Sequence, residues 1–314
     1  MGALAIDDVL LNVYEQFLDN KEGKNAGYIP ALAQADPEKL GIALCTRDGV
    51  LHKVGDSQSP FSIQSASKPF SFALALELVG QDEVFKIVGV EPSGDSFDAI
   101  RVPPPNPLVN VGALSVAGLL EQVYGDQAFD ELKRGFSLFA GRDLEVDEEV
   151  MESELLTADR NRAICHLLAG SKFINNVDRT LELYTYGCSL LVDAESLAIM
   201  AATLAAGGTN PVTKEPIVER SVARNVLSLM LSCGMYDYAG RWIVDVGLPA
   251  KSAVSGGVMA AIPGQGGISV FSPRLDPRGN SVRGIEVCIE LGKEFGLHVL
   301  GHEGASIIDS YLGR

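Results

Sequence analysis

The segment FSIQSASKPF, residues 61–70, sets a serine and a lysine three positions apart, Ser65 and Lys68. In a helical turn two such side chains lie on one face, within reach of each other. A lysine that has lost its proton can take the hydroxyl proton of a serine, and the serine can then attack an acyl carbon. Two conditions attach. The lysine needs a desolvated or cation-flanked place, because its ordinary pKa of about 10.4 keeps it protonated. The serine gains from a helix N-terminus, where free N–H groups and the dipole favour developing negative charge. Pro69 speaks to the second condition. Proline is comfortable only in the first turn of a helix, so a helix through SKPFSFALALELVG cannot start much before Ser65. The preceding PFSIQSAS is moderately apolar, in keeping with partial burial. The alternative for the pair is a helix-capping serine and a solvated lysine, a common arrangement.

Two further features bear on that choice. GLPAKSAVSGGV contains Lys251-Ser252-Ala253 followed by Gly256-Gly257. Small residues on a strand let a substrate approach the backbone. In acyl-transfer enzymes with a Ser-x-x-Lys nucleophile, a Lys-Ser/Thr-Gly strand lies beside the serine. A backbone N–H from that strand and the serine's own N–H can hold an oxyanion. Ala253 stands here where that pattern has glycine. Tyr236, in SCGMYDYAG, comes shortly before the strand. A tyrosine near a lysine is expected to have a lowered pKa and to relay protons; its alternative is an ordinary core or rim aromatic.

These residues need elements to position them. Residues 6–18 repeat apolar positions at helical spacing (Ile6, Val9, Leu10, Val13, Phe17). LGIALCTRDGVLHKVGD reads as a β-hairpin turning at Asp48-Gly49. A long middle follows in which FSFALALELVG, ALSVAGLLEQVYG, DELKRGFSLFAG, RNRAICHLLAG, AESLAIMAATLAAGG and ERSVARNVLSLMLSCG are all helical in spacing, several ending at glycine. After residue 236, RWIVDVGLPA, SGGVMAAIP and GISVFSP read as short antiparallel strands with PGQGG as a turn, and SVRGIEVCIELGKEF returns to helix. Strands near both ends are expected to join in one sheet, which predicts a sheet-containing lobe from residues 1–63 and 236–314, a mainly helical lobe from 64–235, and a site between them.

The bulk properties narrow the function classes. Hydrophobic residues make up 46% and charged residues 21%, a globular balance. Acidic residues outnumber basic ones 41 to 25, giving a net charge of −16, which argues against nucleic acid as a partner. Cys45, Cys165, Cys188, Cys233 and Cys288 are far apart and odd in number, so neither a disulfide framework nor a zinc site is suggested. His52, His166, His298 and His302 are scattered, and no metal is expected. The first residues lack a basic leader pattern and no run of eighteen apolar residues occurs, so a cytoplasmic protein without a membrane span is expected.

The chain resembles the serine-dependent glutaminases, bacterial relatives of the kidney- and liver-type enzymes, through an ordered series of blocks. These include YIPALA (28–33), QSASKPF (64–70), NPLVNVGA (106–113), SELLTADRNRA (153–163), LYTYGCS (183–189), SLMLSCGMYDYAG (228–240) and VGLPAKSAVSGG (246–257). The resemblance implies an α/β (α+β) fold like that of β-lactamases and transpeptidases, an antiparallel sheet flanked by helices with an all-helical lobe. It implies hydrolysis of L-glutamine to L-glutamate and ammonia, with no cofactor, by a homodimer or homotetramer. By the same resemblance Ser65 is the nucleophile, Lys68 its base, and Tyr28 and Tyr236 close over the site. The N–H groups of Ser65 and Val254 form the oxyanion hole, and Asn110, Glu154, Asn161 and Tyr184 hold the amino-acid end of the substrate. Such roles suit glutamine, whose ammonium needs an anion and whose carboxylate needs donors. Glu154 and Asn161 are seven apart and would share a face on one continuous helix.

Two rival readings remain at this level. A penicillin-recognising serine hydrolase would carry a Ser/Tyr-x-Asn element, and no such tripeptide exists in the chain. A non-catalytic glutamine- or glutamate-binding protein would tolerate loss of the Ser65–Lys68 pair.

Overall fold

A computed structural model describes residues 5–27, 29–94 and 98–301. Among the described residues seven strands form: β1 (Gly41–Thr46), β2 (Leu51–Gly55), β3 (Phe61–Ser62), β4 (Leu191–Val192), β5 (Ala250–Ser252), β6 (Gly257–Ile262) and β7 (Gly266–Phe271). Five of them make one antiparallel sheet in the order β2-β1-β7-β6-β5, and β3 pairs with β4 separately. The hairpin read at Asp48-Gly49 is present, with Ile42 opposite Val54 and Leu44 opposite His52. Its strand β1 also pairs with β7, so the two ends of the chain meet in the middle of the sheet.

Alternation along the strands gives the sheet two buried faces. Ile42, Leu44, Val258, Ala260, Ile268 and Val270 point to one core, shared with Val9, Leu10, Val13 and Leu291 from the terminal helices Ile6–Phe17 and Val282–Glu294. Ala43, Cys45, Met259 and Phe271 point to the other. On that second side the helix Ala194–Ala205 crosses the sheet. Its alanine-rich sequence has a steric reason. A Cβ added at Gly267 would sit 2.4 Å from the backbone nitrogen of Ala202 and 2.5 Å from the carbonyl of Ala198. Only glycine on the strand and small residues on the helix permit that approach. The helix starts at a reciprocal cap between Asp193 and Ser196.

Beyond this helix the middle of the chain packs helix on helix. The helix Lys68–Val79 is apolar on nearly every side, as befits an element surrounded by others. Phe70 meets Phe136 and Phe139 edge-on or tilted. A separate cluster joins Val111, Leu114, Ile164, Leu168 and Leu181 from the helices Asn110–Tyr124, Asp159–Gly170 and Val177–Cys188.

Two local expectations are corrected. RWIVDV, read as strand, is the helix Ala239–Asp245. Trp242 is its one large buried side chain, with its indole N–H on the Leu248 carbonyl at 2.7 Å, while Val244 is 70% exposed. A strand beside the sheet would have needed a second inward residue. Glu154 and Asn161 do not share one helix: Glu148–Leu156 ends at Thr157, and Asp159–Gly170 begins after Ala158. No described helix is long and apolar enough to cross a membrane.

Candidate active site

The sequence reading placed Ser65 at a helix start, and the backbone agrees. Residues Gln64–Ser67 form a tight 3-10 turn, Lys68–Val79 continues as α-helix, and Pro69 occupies the first turn. Gln64, immediately before the serine, has φ of 48°, a left-handed conformation uncommon for a residue with a side chain. Edge strand β5 lies against this turn. The serine is thus held between a buried helix and a sheet edge.

The Lys68 ammonium nitrogen is 3.2 Å from the Ser65 hydroxyl and 2.6 Å from Asn110 Oδ1. Lys68 is 2% exposed, and burial pulls its pKa down to about 8, with nearby Glu154 acting in the opposite direction. Desolvation is therefore what prepares the amine to accept a proton. Asn110, the first residue of its helix, is the hub of a small polar network. Its Oδ1 accepts from Lys68 and from the Tyr184 hydroxyl at 3.4 Å, and its Nδ2 donates to Asn161 Oδ1 at 3.0 Å. Across the break between the two helices, Asn161 joins this network through Asn110, and Glu154 lies near enough to Lys68 to act on its charge.

Glu154 is 8% exposed and accepts a hydrogen bond from Gln64 Nε2 at 3.1 Å. Burial pushes its carboxyl up to about 7, although Gln64 and Lys68 act to lower it. A carboxyl so placed holds its charge weakly until a cation arrives. Gln64 was absent from the sequence-based candidates. Its partner lies ninety positions away, and no local pattern announces such a contact.

On the sheet side, Tyr236 donates to the Ser252 carbonyl at 3.0 Å and hydrogen-bonds Ser65. The expected lowering of its pKa is corrected: burial raises it, and this outweighs the effect of Ser65. Tyr236 is a neutral hydroxyl at working pH, a donor and acceptor of hydrogen bonds. Its backbone φ of 55° is also left-handed. Lys251 Nζ lies 4.1 Å from the centre of the Tyr236 ring and donates to the same Ser252 carbonyl at 2.8 Å. Lys251 is fully buried, and burial first and Lys68 second hold its pKa well below the usual range. The sequence offered Lys251 only as part of a strand pattern.

Val254 sits in the turn that leads from β5 to β6, closed by Ala253 N–H on the Gly257 carbonyl at 2.8 Å and Gly256 N–H on the Ala253 carbonyl at 3.0 Å. A Cβ built at Gly279 would lie 3.6 Å from Val254 and 3.9 Å from Tyr236, which places those two side chains side by side. Tyr28 lies outside the described residues. Cys188, beside Ser67 at 3.7 Å, is pushed by burial up to about 12 and stays a thiol. Among the described residues no cluster of three histidine, cysteine or acidic groups could hold a metal.

A sequence profile of the Glutaminase family matches residues 23–300. Glutaminase 1 of Bradyrhizobium diazoefficiens is 48% identical over 98% of this chain, and the match takes in 51% of that protein. The chain thus spans about half the length of the Bradyrhizobium relatives it matches. A glutaminase of Trichormus variabilis is 44% identical over 93% of this chain and 89% of its own. Among solved structures, the native form of Mglu superimposes with a TM-score of 0.91 at 43% identity, covering 95% of this chain and 74% of that one. A probable glutaminase from Bacillus subtilis, complexed with 6-diazo-5-oxo-L-norleucine, gives 0.84 at 34% identity, over 95% of this chain and 96% of its own. The architecture is that of the glutaminases, an antiparallel sheet flanked by helices in the β-lactamase-like arrangement. The chain belongs to the glutaminase family.

Proposed function

We propose that this protein hydrolyses L-glutamine to L-glutamate and ammonia through an acyl-enzyme on Ser65. The observation that carries the reading is the buried Lys68 amine, 3.2 Å from the Ser65 hydroxyl, with its pKa drawn down to about 8. Lys68 takes the hydroxyl proton as the Ser65 oxygen bonds to the side-chain amide carbon of glutamine. The tetrahedral oxyanion rests on the backbone N–H groups of Ser65 and Val254. The proton passes to the amide nitrogen through Lys68 or the Tyr236 hydroxyl, the C–N bond breaks, and ammonia leaves. Water, deprotonated along the same route, then cleaves the γ-glutamyl ester and returns the proton to Ser65.

Glu154 pairs the substrate ammonium, and Asn110, Asn161 and Tyr184 serve its carboxylate. With Oδ1 occupied by Asn110, Asn161 keeps its amide N–H pair for that carboxylate. Tyr28 is assigned, with Tyr236, a part in the proton transfer. The site would lie between the sheet-bearing segments 1–63 and 236–314 and the helical segment 64–235. The protein would work in the cytoplasm as a homodimer or homotetramer, which light scattering on the purified protein tests.

The decisive experiment combines ammonia release with covalent labelling. The reagent 6-diazo-5-oxo-L-norleucine carries a carbonyl at the position of glutamine's amide. Once the diazo carbon has taken the Ser65 proton by way of Lys68, attack by the serine oxygen expels dinitrogen and leaves a stable ether. Wild-type protein should release ammonia from glutamine and gain one reagent mass less dinitrogen on the peptide containing Ser65. Ser65→Ala should do neither. Nitrocefin turnover without glutamine hydrolysis, or ammonia release that survives Ser65→Ala, refutes the assignment.

A further inference from the structure

We infer that a second groove, of about 760 Å³, binds a small organic anion: a phosphate or carboxylate group on an apolar body. The groove lies between the end of the Ala194–Ala205 helix, the Arg220–Cys233 helix, and the turns joining β1 to β2 and β6 to β7. It shares no lining residue with the Ser65 site, and the inference does not rest on the glutaminase reading.

Charge is the first observation. The protein carries a net −16, yet Arg47, Lys214, Arg220 and Arg224 all line this groove, and its described lining holds no aspartate or glutamate. Many arginines elsewhere are held by carboxylates, as Arg134 is by Glu131, Arg179 by Glu121 and Arg274 by Glu38, and buried Arg283 by backbone carbonyls. Arg47, Arg220 and Arg224 are exposed and form no ion pair among the described residues. Lys214 is exposed too, its ammonium donating to the carbonyls of Asp48, at 2.8 Å, and Pro211. Asp48 lies within its field but outside the lining.

Local energetics are the second. Arg220 is the first residue of its helix and Arg224 lies one turn further on. Cations at a helix N-terminus oppose the dipole, and like charges four residues apart repel. Neither placement helps the fold. The Glu77 carboxylate already takes the Glu219 N–H at this helix start, at 2.8 Å, so the attraction for an anion comes from the two guanidinium forks one turn apart on the groove wall.

The third is the floor. Leu227 and Leu231 continue the face of Arg220 and Arg224 at helical spacing, and Leu204, Pro249, Pro263 and Val299 complete an apolar wall. Phosphate alone would leave that wall wet. An anion with an apolar body satisfies both ends, and the volume falls in the range of small-molecule sites. Arg220 packs over Gly207, within 3.4 Å of where a Cβ would lie, so its stem also forms part of the wall.

Phenyl phosphate is a suitable probe, with inorganic phosphate and benzyl alcohol carrying only one half of its chemistry. Binding is measured by calorimetry on the full chain and located by amide chemical shifts. Phenyl phosphate should bind saturably and more tightly than either partial probe, weaken with added salt, and shift Gly207, Gly208, Leu227 and Leu231. Arg220→Gln and Arg224→Gln alter exposed side chains, so the fold should hold, and each should weaken binding about tenfold. Absence of saturable binding, equal affinity for inorganic phosphate, binding unchanged in the double variant, or shifts confined to Ser65 and Asn110 would each overturn the inference. So would exclusion of the probe until residues 302–314 are deleted, which would assign the groove to the chain's own terminus.

Discussion

Replacing Glu154 by glutamine tests the electrostatics of the proposed site with two independent readouts. Productive binding needs Glu154 ionised and Lys68 neutral. Their pKa values of about 7 and about 8 place both requirements on the acid side of neutral-to-alkaline pH. For wild type, kcat/KM should rise about a hundredfold per unit below pH 7, about tenfold between 7 and 8, and then level. Glu154→Gln removes one requirement, so the steep limb should relax to about tenfold per unit. The absolute value should fall, because the substrate ammonium then enters a buried place without its counter-charge. A loss of about 3 kcal/mol is on the order of a hundredfold in kcat/KM, mostly through KM. Stability should move the other way. The folded carboxyl, raised above its ordinary 4.5, stays protonated where the unfolded one ionises. That group therefore costs stability as pH rises from about 4.5 to about 7, and the full cost persists above. The variant lacks this cost and should be more stable than wild type at pH 8, on the order of 3 kcal/mol, and equal to it at pH 4. Ammonia release across pH 5–9.5 at constant ionic strength and thermal unfolding at the two pH values decide the matter. An unchanged limb together with kcat/KM within threefold of wild type would refute the pairing of Glu154 with the substrate.

Lys68→Met should lower turnover by about 10²–10⁴-fold, since the base is gone and the hydroxyl has no neutral amine beside it; near-normal steady-state rates would exclude Lys68 as base. Tyr236→Phe keeps the ring under Lys251 but loses the hydroxyl on Ser65 and on the Ser252 carbonyl. Its kcat should fall about a hundredfold with KM little changed, as single-turnover kinetics would resolve. Ala253→Gly should leave activity within a few-fold and lower stability by about 1 kcal/mol, read in urea, through the greater freedom of the unfolded chain. Gly234→Ala acts on the scaffold: an added Cβ would lie 1.7 Å from the Ala250 carbonyl. The helix end and β5 must part, so both unfolding temperature and turnover should drop, with a stability loss of about 2–4 kcal/mol.

What the sequence disclosed and what it withheld divide along the range of the interactions. The hairpin at Asp48-Gly49, the helices stopped by glycine and the register of Pro69 are written in neighbouring residues, and each is present as read. The segment around Trp242 misled because seven residues hold too few apolar positions to separate a helical period from a strand's. The break at Thr157 carries neither glycine nor proline, so nothing local marked it. The supporting contacts were out of view for another reason. Gln64 reaches Glu154 across ninety positions, and Lys251 meets Tyr236 only because a helix end turns back beside an edge strand. Tyr236 shows how magnitude decides. A nearby lysine argued for a lowered pKa, but burial loosens that lysine's own hold on its proton, and desolvation of the phenol outweighs the lowering by Ser65.

The same reasoning extends to the whole cluster. Lys68, Lys251, Glu154 and Tyr236 are four ionisable groups in one largely buried place, and burial drives every one of them toward its neutral form. With Glu154 at about 7 and Lys68 at about 8, burial weakens the charges of this pair without removing both at any one pH. In the proposed reaction the substrate ammonium favours the ionised form of Glu154, and the substrate carboxylate meets the Asn161 amide N–H groups, oriented by Asn110. The proposed transfer of the Ser65 proton uses the neutral fraction of Lys68, which grows as pH rises towards 8. Two residues with left-handed backbones, Gln64 and Tyr236, flank this chemistry, and both direct their side chains at its polar atoms. Relaxing either backbone to an ordinary helical conformation would turn its side chain away. The strain at these two positions is therefore best understood as the cost of aiming, carried by the buried helix on one side and the sheet edge on the other.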